Sequence, residues 1–430
     1  MIDESKLESF IEHKPHDHIA LNGYEEQIDF VIEKIKKSKC PVFYIGHGIR
    51  LANSITAFFT ILDKFPIPVV TAINGHDLIW FDHQLFFGRP GICGDRLGNI
   101  MVQNCDLLIV LGTRLGVRQT SYSFDNFAPN AFKIMIDIDN AELLKPTLHI
   151  DLKINLDIKT FIELFCKKTE NQNITEYTPW IDWGRNIERN LPTILEDNII
   201  KKDLVNSYVF ADILFKTLPG DSLIVTGNGT AYTSTFQIMK IKKGMRVIAN
   251  QGCASMGYDL PAAIGACIAN DKRPIYLITG DGSIMMNLQE LQTIFSNKLP
   301  IKIFILNNNG YLAIRTTQTS FFNKNFIGES PASGISLPDF LKVAKAFNIK
   351  YYQISSNSDI PETVLDIIHF DGPVICNLEM DPEQTLHPKV ASSTDKNGKI
   401  SSRPLEDMFP FLSESDLLKC YYNNKSSINL

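Results

Sequence analysis

Two polar side chains at the ends of apolar segments are the part of this sequence best suited to chemistry. Asp281 stands in Gly280-Asp-Gly282 and Asn308 in Asn307-Asn308, and each doublet follows an apolar run. Mg²⁺ takes about six hard oxygen ligands and seldom all from protein, so a carboxylate and an amide oxygen suit it together with phosphate oxygens. The pair predicts a site for a metal ion and a diphosphate, although a lone Gly-Asp-Gly is also typical of a turn at a strand end.

The segments around this pair predict one strand-helix-strand unit. Residues 274–279 and 301–306 are apolar runs typical of buried parallel strands, and residues 284–295 carry a helical apolar stripe that Asn297-Lys-Leu-Pro300 ends. A right-handed crossover returns the second strand beside the first, so both polar side chains reach neighbouring carboxyl ends. Open α/β sheets bind ligands at that edge.

Backbone groups next to the pair complete the expected site. We expect the carbonyl of Gly310 to serve as a third metal ligand, after Asp281 and Asn308. The backbone N–H groups of Gly282 and Ser283 open the helix that follows the carboxylate and are expected to face phosphate.

Alternating strand and helix patterns predict two doubly wound parallel-sheet α/β domains. The predicted strands cover residues 41–46, 68–71, 106–112 and 133–138 in the first domain, and 222–226, 246–249, 274–279, 301–306, 351–354 and 373–378 in the second. The predicted divisions are a linker at 1–23, a central domain at 24–165, a connector at 166–205, a cofactor domain at 206–390 and a tail at 391–430.

Taken together, the motifs resemble the thiamine diphosphate-dependent enzymes of the acetolactate synthase family. Gly280-Asp-Gly282 through Asn307-Asn308 is similar to the thiamine motif of that family, and residues 252–265 resemble the loop and helix that hold its aminopyrimidine ring. Gly88-Arg-Pro-Gly91 and residues 106–112 resemble its central domain. The resemblance covers nearly the whole chain and implies thiamine diphosphate and Mg²⁺ as cofactors, with Mg²⁺ at the residues proposed above.

The resemblance also implies roles for individual residues. Met256 corresponds to the bulky side chain that bends the cofactor, and the carbonyl of Ala254 to the acceptor of its 4′-amino group. Thr230 and Ala231 fall where the family's backbone meets the diphosphate, with Gly280 in the thiamine motif itself. Without these motifs, Met256 is equally typical of an ordinary core methionine.

The central domain of the resembled family often carries FAD. The resemblance places its contacts near Gly46-His-Gly48, Gly112-Thr-Arg114 and Asp137. Arg114 could pair with phosphate through its planar fork or be satisfied by local carbonyls. Position 51 is leucine where a dinucleotide fingerprint has its third glycine, so a dehydrogenase is the lesser hypothesis.

Members of this family begin with a further domain whose glutamate activates the cofactor, and the resemblance starts after that domain. No glutamate of this sequence takes the activating role by motif, so the catalytic acid or base stays unassigned. A truncated sequence, a split enzyme completed by another chain and a degenerate cofactor-binding member all remain open. The resemblance further implies a homo-oligomer or a complementing chain, exposed apolar surface around Met256, and weak cofactor binding by this chain alone.

The expected substrates are a pyruvate-like 2-oxo acid and a carbonyl acceptor. Acetolactate synthases usually carry a tryptophan after the metal loop, whereas this chain has Ile314-Arg-Thr-Thr-Gln318. That stretch resembles family members acting on sugar ketones, and Arg315 could contact a substrate anion or be a surface helix residue. A plain 2-oxo-acid decarboxylase and a non-catalytic cofactor-binding or assembly subunit are the alternatives.

Composition excludes several other classes of protein. The 430 residues carry a formal net charge of −6, which disfavours a nucleic-acid surface, and no apolar run is long enough for a membrane helix. The cysteines form no Cys-x-x-Cys pair, which together with the absence of a signal sequence predicts a cytoplasmic protein. His13, His16 and His18 surround Pro15 in a polar segment and receive no role.

Overall fold

A computed structural model of the chain contains two open, wholly parallel β-sheets flanked by helices, which confirms the predicted fold class. The structure describes residues 23–172, 176–191, 204–394 and 400–422. The three histidines of the predicted linker and the last eight residues lie outside this part of the chain.

The first sheet has five strands in the order β2-β1-β3-β4-β5. Its strands are β1 Pro41–Ile45, β2 Val69–Thr71, β3 Leu107–Leu111, β4 Phe132–Asp137 and β5 Leu152–Asn155. The helices of this half are α1 Tyr24–Lys37, α2 Gly48–Leu51, α3 Ile55–Lys64, α4 Arg96–Asn104, α5 Val117–Thr120, α6 Asn140–Leu144, α7 Ile158–Thr169 and α8 Thr178–Asn190. The edge strand β5 was not predicted, because only Ile154 of its four residues is buried and the apolar signal is weak.

The second sheet has six strands in the order β10-β11-β9-β8-β6-β7. Its strands are β6 Leu223–Thr226, β7 Arg246–Ala249, β8 Ile275–Gly280, β9 Ile301–Asn307, β10 Lys350–Ile354 and β11 Val374–Glu379. Its helices are α9 Ser207–Thr217, α10 Thr230–Ile238, α11 Asp259–Ala269, α12 Asp281–Ile284, α13 Glu290–Ser296, α14 Leu312–Phe321, α15 Phe340–Ala346 and α16 Ile360–His369. The direction of winding reverses between β6 and β8, which is where such sheets open a ligand crevice.

The helix predicted over residues 284–295 is interrupted. Helix α12 passes into a 3₁₀ turn at Met285–Asn287 before α13 begins. At this turn Asn287 Nδ2 donates to the carbonyl of Gly257 at 2.8 Å, and a side chain on Gly257 would meet Met286 Cβ. The interruption therefore lies where another loop packs against the helix, a contact that periodicity along one segment cannot reveal.

The segments that precede and follow the second sheet in the sequence, namely helix α8 and the tail, pack on the first half of the chain. Helix α8, within the predicted connector, buries Trp180, whose Nε1 donates to the carbonyl of Pro41 at 3.0 Å. The tail adds short strands and one helix: β12 Lys389–Val390, β13 Ser392–Thr394, β14 Ile400–Ser402, β15 Met408–Phe409 and α17 Glu414–Lys419. Arg96 and Asn99 of α4 donate to tail carbonyls, so the tail is fixed to the central domain. The exact domain boundaries stay predictions.

One buried carboxylate joins the two halves. Asp77, in the loop after β2, accepts from Arg50 Nη2 at 2.8 Å and from the backbone N–H of Val247 at 3.0 Å, and it also pairs with Arg246. Burial alone would raise the pKa of Asp77, but His76 and the two arginines outweigh it and lower that pKa. Asp77 is therefore ionised at neutral pH and links the first half of the chain to β7.

We expect Asp77→Asn to lower the free energy of unfolding by about 3 kcal/mol, at the low end for a broken buried ion pair, because the two arginines that lose their shared counter-ion are only partly buried. Denaturant titration at neutral pH measures this change. Asp82→Asn, at an exposed neighbouring position, is the matched control and should leave the stability unaltered. Equal stability of the two variants would contradict a linking role for Asp77.

Candidate cofactor site

The two side chains singled out from the sequence lie at the carboxyl ends of adjacent strands. Asp281 follows β8 and Asn308 follows β9, and these strands pair in parallel with Gly280 opposite Leu306. Both residues are buried, with 2% and 5% of their surfaces exposed. The backbone N–H of Gly310 donates to Asp281 Oδ2 at 2.9 Å, which ties the segment Asn308–Gly310, here termed the metal loop, to the carboxylate.

The side-chain amide oxygen of Asn308, Oδ1, is buried and has no hydrogen-bond partner within the described part of the chain. A buried amide oxygen left unpaired costs about 1–3 kcal/mol, so such atoms usually have a bound ligand or water. An amide oxygen beside a carboxylate is suited to a hard divalent cation.

The Asp281 carboxyl group is buried and has a raised pKa. Burial raises the pKa of Asp281 to about 6, while backbone N–H groups from Gly310, Gly282 and Asn309 act in the opposite direction. Within the described residues no three His, Cys, Asp or Glu side chains are grouped to hold a metal ion. A cation here would therefore need further oxygen ligands, such as those of a diphosphate.

The backbone N–H of Gly282, at the start of α12, was expected to face phosphate but is engaged within the protein. The backbone N–H of Gly282 donates to Asp281 Oδ1 at 2.9 Å, so this group is already used by the carboxylate. A side chain on Gly282 would collide with the ring of Tyr311, which explains why glycine stands there. Ser283 is buried, and its hydroxyl accepts from the N–H of Gly257 at 3.0 Å.

A second helix start lies at the same edge of the sheet. Thr230 and Ala231 open α10, after β6, and both are buried. The preceding Gly229 has φ 57° and a β-carbon there would meet nothing within 4 Å, so this turn is open to a ligand. Thr230 and Ala231 thus follow β6, while Asp281 and Asn308 follow β8 and β9, so these predicted contacts lie around the switch point of the sheet.

The segment 252–258 before α11, here termed the pyrimidine loop, is held by the side chain of Asn228, for which no role was predicted. Asn228 Nδ2 donates to the carbonyl of Ala254 at 2.7 Å, and Ala254 has φ 51°, a left-handed conformation uncommon for residues other than glycine. Met256 follows with 42% of its surface exposed, so it is not an ordinary core methionine. Asn228 stands next to Gly227 and Gly229 in the sequence, but the role of its side chain depends on a contact between segments distant in sequence.

A second buried carboxylate, that of Asp259, lies next to the site, and no role was predicted for it. Asp259 Oδ2 accepts from the hydroxyl of Ser283 at 3.5 Å, and a side chain on Gly227 would collide with the same carboxylate. Burial raises the pKa of Asp259, against the effect of hydrogen bonds from Thr279 and others. Through Ser283, Asp259 connects α12 to the loop that carries Met256.

The interpretation of Arg315 as a surface helix residue is wrong, because its side chain is engaged within the protein; contact between Arg315 and a substrate stays a prediction. Its side chain is 15% exposed, and Nε donates to Glu329 Oε2 at 2.5 Å. The remaining guanidinium nitrogens donate to backbone carbonyls of the metal loop and of Pro382. Thr317 is exposed, and within the described residues its hydroxyl donates to the carbonyl of Ala313 in the same helix.

The residues suggested for a flavin lie at the corresponding edge of the first sheet. The backbone at Gly46 and Gly48 passes close to the backbone at Gly112, which leaves no room for a side chain. A β-carbon on Gly48 would lie 2.6 Å from Gly112 Cα. Arg114 is 74% exposed, with Nε 3.6 Å from Glu142 Oε1.

The remaining flavin candidate is likewise engaged within the protein. Asp137 Oδ1 accepts from the N–H of Asp139 at 2.9 Å, and burial raises the pKa of Asp137. Gly46, Gly48 and Asp137 thus have contacts within the protein, whereas the Arg114 side chain is largely exposed, and flavin binding stays a prediction.

A cavity of about 210 Å³ lies between the two halves of the chain. Its lining includes Cys93 and Arg118 from the first half, and Tyr232 and Phe236 from α10. Arg118 Nη1 donates to Gln251 Oε1 at 2.9 Å, so the cavity adjoins the start of the pyrimidine loop.

None of the described helices is long and apolar enough to span a lipid bilayer.

Comparison with known proteins agrees with this geometry. Residues 227–378 match the family described as "Thiamine pyrophosphate enzyme, C-terminal TPP binding domain", and residues 28–165 match "Thiamine pyrophosphate enzyme, central domain". The first range contains the metal loop, α10 and the pyrimidine loop, and the second contains the first sheet.

Curated relatives match both ranges at once. The acetolactate synthase large subunit of Cyanidium caldarium is 31% identical over 381 residues, covering 87% of this chain and 63% of the relative. That of Porphyra purpurea is 31% identical over 374 residues, 86% of this chain and 62% of the relative. The isozyme 2 large subunit of Escherichia coli K12 is 28% identical over 383 residues, 87% of this chain and 66% of the relative. The chain thus spans somewhat less than two thirds of these relatives, and it belongs to the thiamine pyrophosphate enzymes.

Proposed function

We propose that this chain binds thiamine diphosphate through Mg²⁺ and, in its complete assembly, decarboxylates a pyruvate-like 2-oxo acid and joins the remaining fragment to a carbonyl acceptor. The observation that carries the proposal is the buried, unpartnered Asn308 Oδ1 beside the buried Asp281 carboxylate. The names of the relatives, all acetolactate synthase large subunits, support carboligation over simple decarboxylation.

In this proposal each residue has a separate task. Asp281, Asn308 and the carbonyl of Gly310 hold Mg²⁺, which in turn holds the diphosphate. Thiamine diphosphate, when bound, supplies a thiazolium that serves as the electron sink for loss of CO₂. The carbonyl of Ala254, fixed by Asn228, orients the aminopyrimidine, and Met256 shapes the cofactor.

The surroundings of Met256 support an assembly with a second chain or domain. Tyr258 and Met286 are exposed near it, which leaves apolar side chains of the cofactor site uncovered. We propose that another copy of this chain, or a complementing chain, covers these side chains, and that a complementing chain or domain supplies the activating carboxylate. A cytoplasmic location stays a prediction.

The acceptor is proposed only as a carbonyl compound, either a 2-oxo acid or a sugar ketone. Because Arg315 is engaged with Glu329, no residue of α14 is assigned to an anionic substrate group. No step of this proposal uses a flavin.

Mg²⁺-dependent binding of thiamine diphosphate tests the site, followed by calorimetry or near-ultraviolet circular dichroism. We expect Asn308→Ala to raise the Mg²⁺ concentration required by at least the roughly 10- to 100-fold that loss of an outer-shell partner costs. Asn348→Gly is the control, since Asn348 is exposed in the turn after α15, outside the metal loop, and its positive φ suits glycine. Identical Mg²⁺ dependence of both variants would refute the site.

Product analysis with pyruvate separates the activities. A coupled hydroxyketone supports carboligation, whereas acetaldehyde alone would favour a plain decarboxylase. Cofactor binding without turnover, even when candidate partner chains are added, would favour the non-catalytic subunit. Rapid turnover by this chain alone would contradict the expectation that another chain supplies the activating carboxylate.

A further inference from the structure

Arg315 lies in the first turns of α14, directly after the metal loop, and its guanidinium is shared among four acceptors. Nε donates to Glu329 Oε2 at 2.5 Å and Nη1 to the carbonyl of Pro382 at 2.5 Å. The longer contacts, both 3.4 Å, run from Nη1 to the carbonyl of Asn308 and from Nη2 to that of Asn309. One side chain therefore contacts two consecutive carbonyls of the loop whose amide oxygen is unpartnered.

Glu329 holds the other side of the same loop. Its side chain is 3% exposed, and Oε1 accepts from the hydroxyls of Ser330 at 2.5 Å and Ser333 at 3.2 Å. Its own backbone carbonyl accepts from the N–H of Tyr311 at 2.8 Å. Burial would raise the pKa of Glu329, but the bonds from Ser330 and Arg315 outweigh it and lower that pKa, so the pair is ionised at neutral pH.

The conformation of the metal loop explains why such support is needed. Asn309 has φ 59° and Gly310 has φ 137°, so two consecutive residues lie in regions that L-amino acids seldom adopt. A non-glycine residue in such a region costs of order 1–3 kcal/mol and persists only where its surroundings enforce it. The Asp281 carboxylate and the Asn307 side chain accept from the N–H groups of Gly310 and Asn309, respectively. The guanidinium and the Glu329 carbonyl hold the loop from the other side.

We propose that Arg315 and Glu329 form a clamp that fixes the metal loop in the geometry required for Mg²⁺ and diphosphate. Both are positioning residues, and the inference rests on the proposed function of this site. The clamp adds no net charge beside the cation, because the carboxylate neutralises the guanidinium. Its effect is to fix the orientation of the Asn308 side-chain amide and of the Gly310 backbone.

Lysine at position 315 separates a clamp from a simple ion pair. Lysine keeps the positive charge beside Glu329 but lacks the planar fork that reaches several carbonyls at once. A simple ion pair would tolerate Arg315→Lys, whereas the clamp would not. Arg273, an exposed arginine paired with Asp221, offers a matched control in Arg273→Met.

The test has two measurements on folded variants Arg315→Lys, Arg315→Met and Glu329→Gln. The first is the Mg²⁺ concentration that gives half-maximal thiamine diphosphate binding. We expect it to rise by roughly 10- to 100-fold in both Arg315 variants, less in Glu329→Gln, and not in Arg273→Met. Wild-type dependence in a folded Arg315→Met or Arg315→Lys would overturn the clamp.

The second measurement is amide hydrogen exchange without any cofactor. The clamp predicts faster exchange at the N–H groups of Gly310 and Tyr311 in the Arg315 variants, with unchanged exchange in β8 and β9. If the wild-type chain binds no thiamine diphosphate, the proposed function fails, and exchange alone then decides whether the loop is clamped. Unchanged exchange at Gly310 and Tyr311 would refute the inference, and if Arg315→Met does not fold, Arg315→Lys and Glu329→Gln give the same comparison.

Discussion

Asp281→Asn is expected to reduce Mg²⁺-dependent binding of thiamine diphosphate by at least about 100-fold, a loss of roughly 2.7 kcal/mol or more. Asp281 is the one charged group among the proposed metal ligands, and a neutral amide removes its attraction for the cation. Both carboxylate oxygens also accept backbone N–H groups, from Gly282 and Gly310. The amide NH₂ of asparagine would face one of these donors, which weakens the loop as well.

Asp271→Asn provides the control for this experiment. Asp271 is exposed in the turn after α11 and has φ 51°, a conformation that asparagine tolerates. Calorimetric titration of Mg²⁺ at saturating thiamine diphosphate measures the change. If Asp281→Asn retained tight Mg²⁺-dependent binding, the metal site would have to lie elsewhere.

Gly310→Ala is expected to lower the free energy of unfolding by about 3 kcal/mol or more and to abolish Mg²⁺-dependent cofactor binding. Gly310 has φ 137°, which an alanine adopts only with strain. The added methyl group would also collide with the backbone carbonyl oxygen of Glu329, an atom that cannot swing away as a side chain can. The metal loop must therefore rearrange.

Gly116→Ala is the control for the loss of a glycine at a position outside the site. A β-carbon at Gly116 would meet nothing within 4 Å, and its φ of −69° is not in the left-handed region. Denaturant titration of both variants without cofactor gives the stability difference, and Mg²⁺ titration gives the binding difference. Near-wild-type stability and binding in Gly310→Ala would show that the loop is more adaptable than its geometry indicates.

The sequence was sufficient to predict both sheets apart from β5, and to place Asp281 and Asn308 at adjacent strand ends, for a physical reason. Buried parallel strands are apolar on both faces, so runs such as 301–306 are distinctive. Once two such runs are joined by a crossover of one handedness, the polar residues after them must meet at one edge. Asp281 and Asn308 follow directly from that rule.

Contacts between segments distant in sequence could not be predicted in this way. The role of Arg315 depends on Glu329, fourteen residues later, and on the carbonyl of Pro382, neither of which has a periodic signal. Similarly, the glycines at 46 and 48 resembled a phosphate-binding motif, whereas in the structure they allow two backbone segments to cross at Gly112.

The hydrogen bond from Asn228 to the Ala254 carbonyl has a consequence for the thermodynamics of ligand capture. A carbonyl oxygen has two lone pairs, so one remains available after Asn228 has oriented the group. The entropy lost in ordering this peptide is thus expended during folding, before any coenzyme arrives. An incoming amino group would meet a preorganised acceptor, and a greater share of its interaction free energy would appear as affinity.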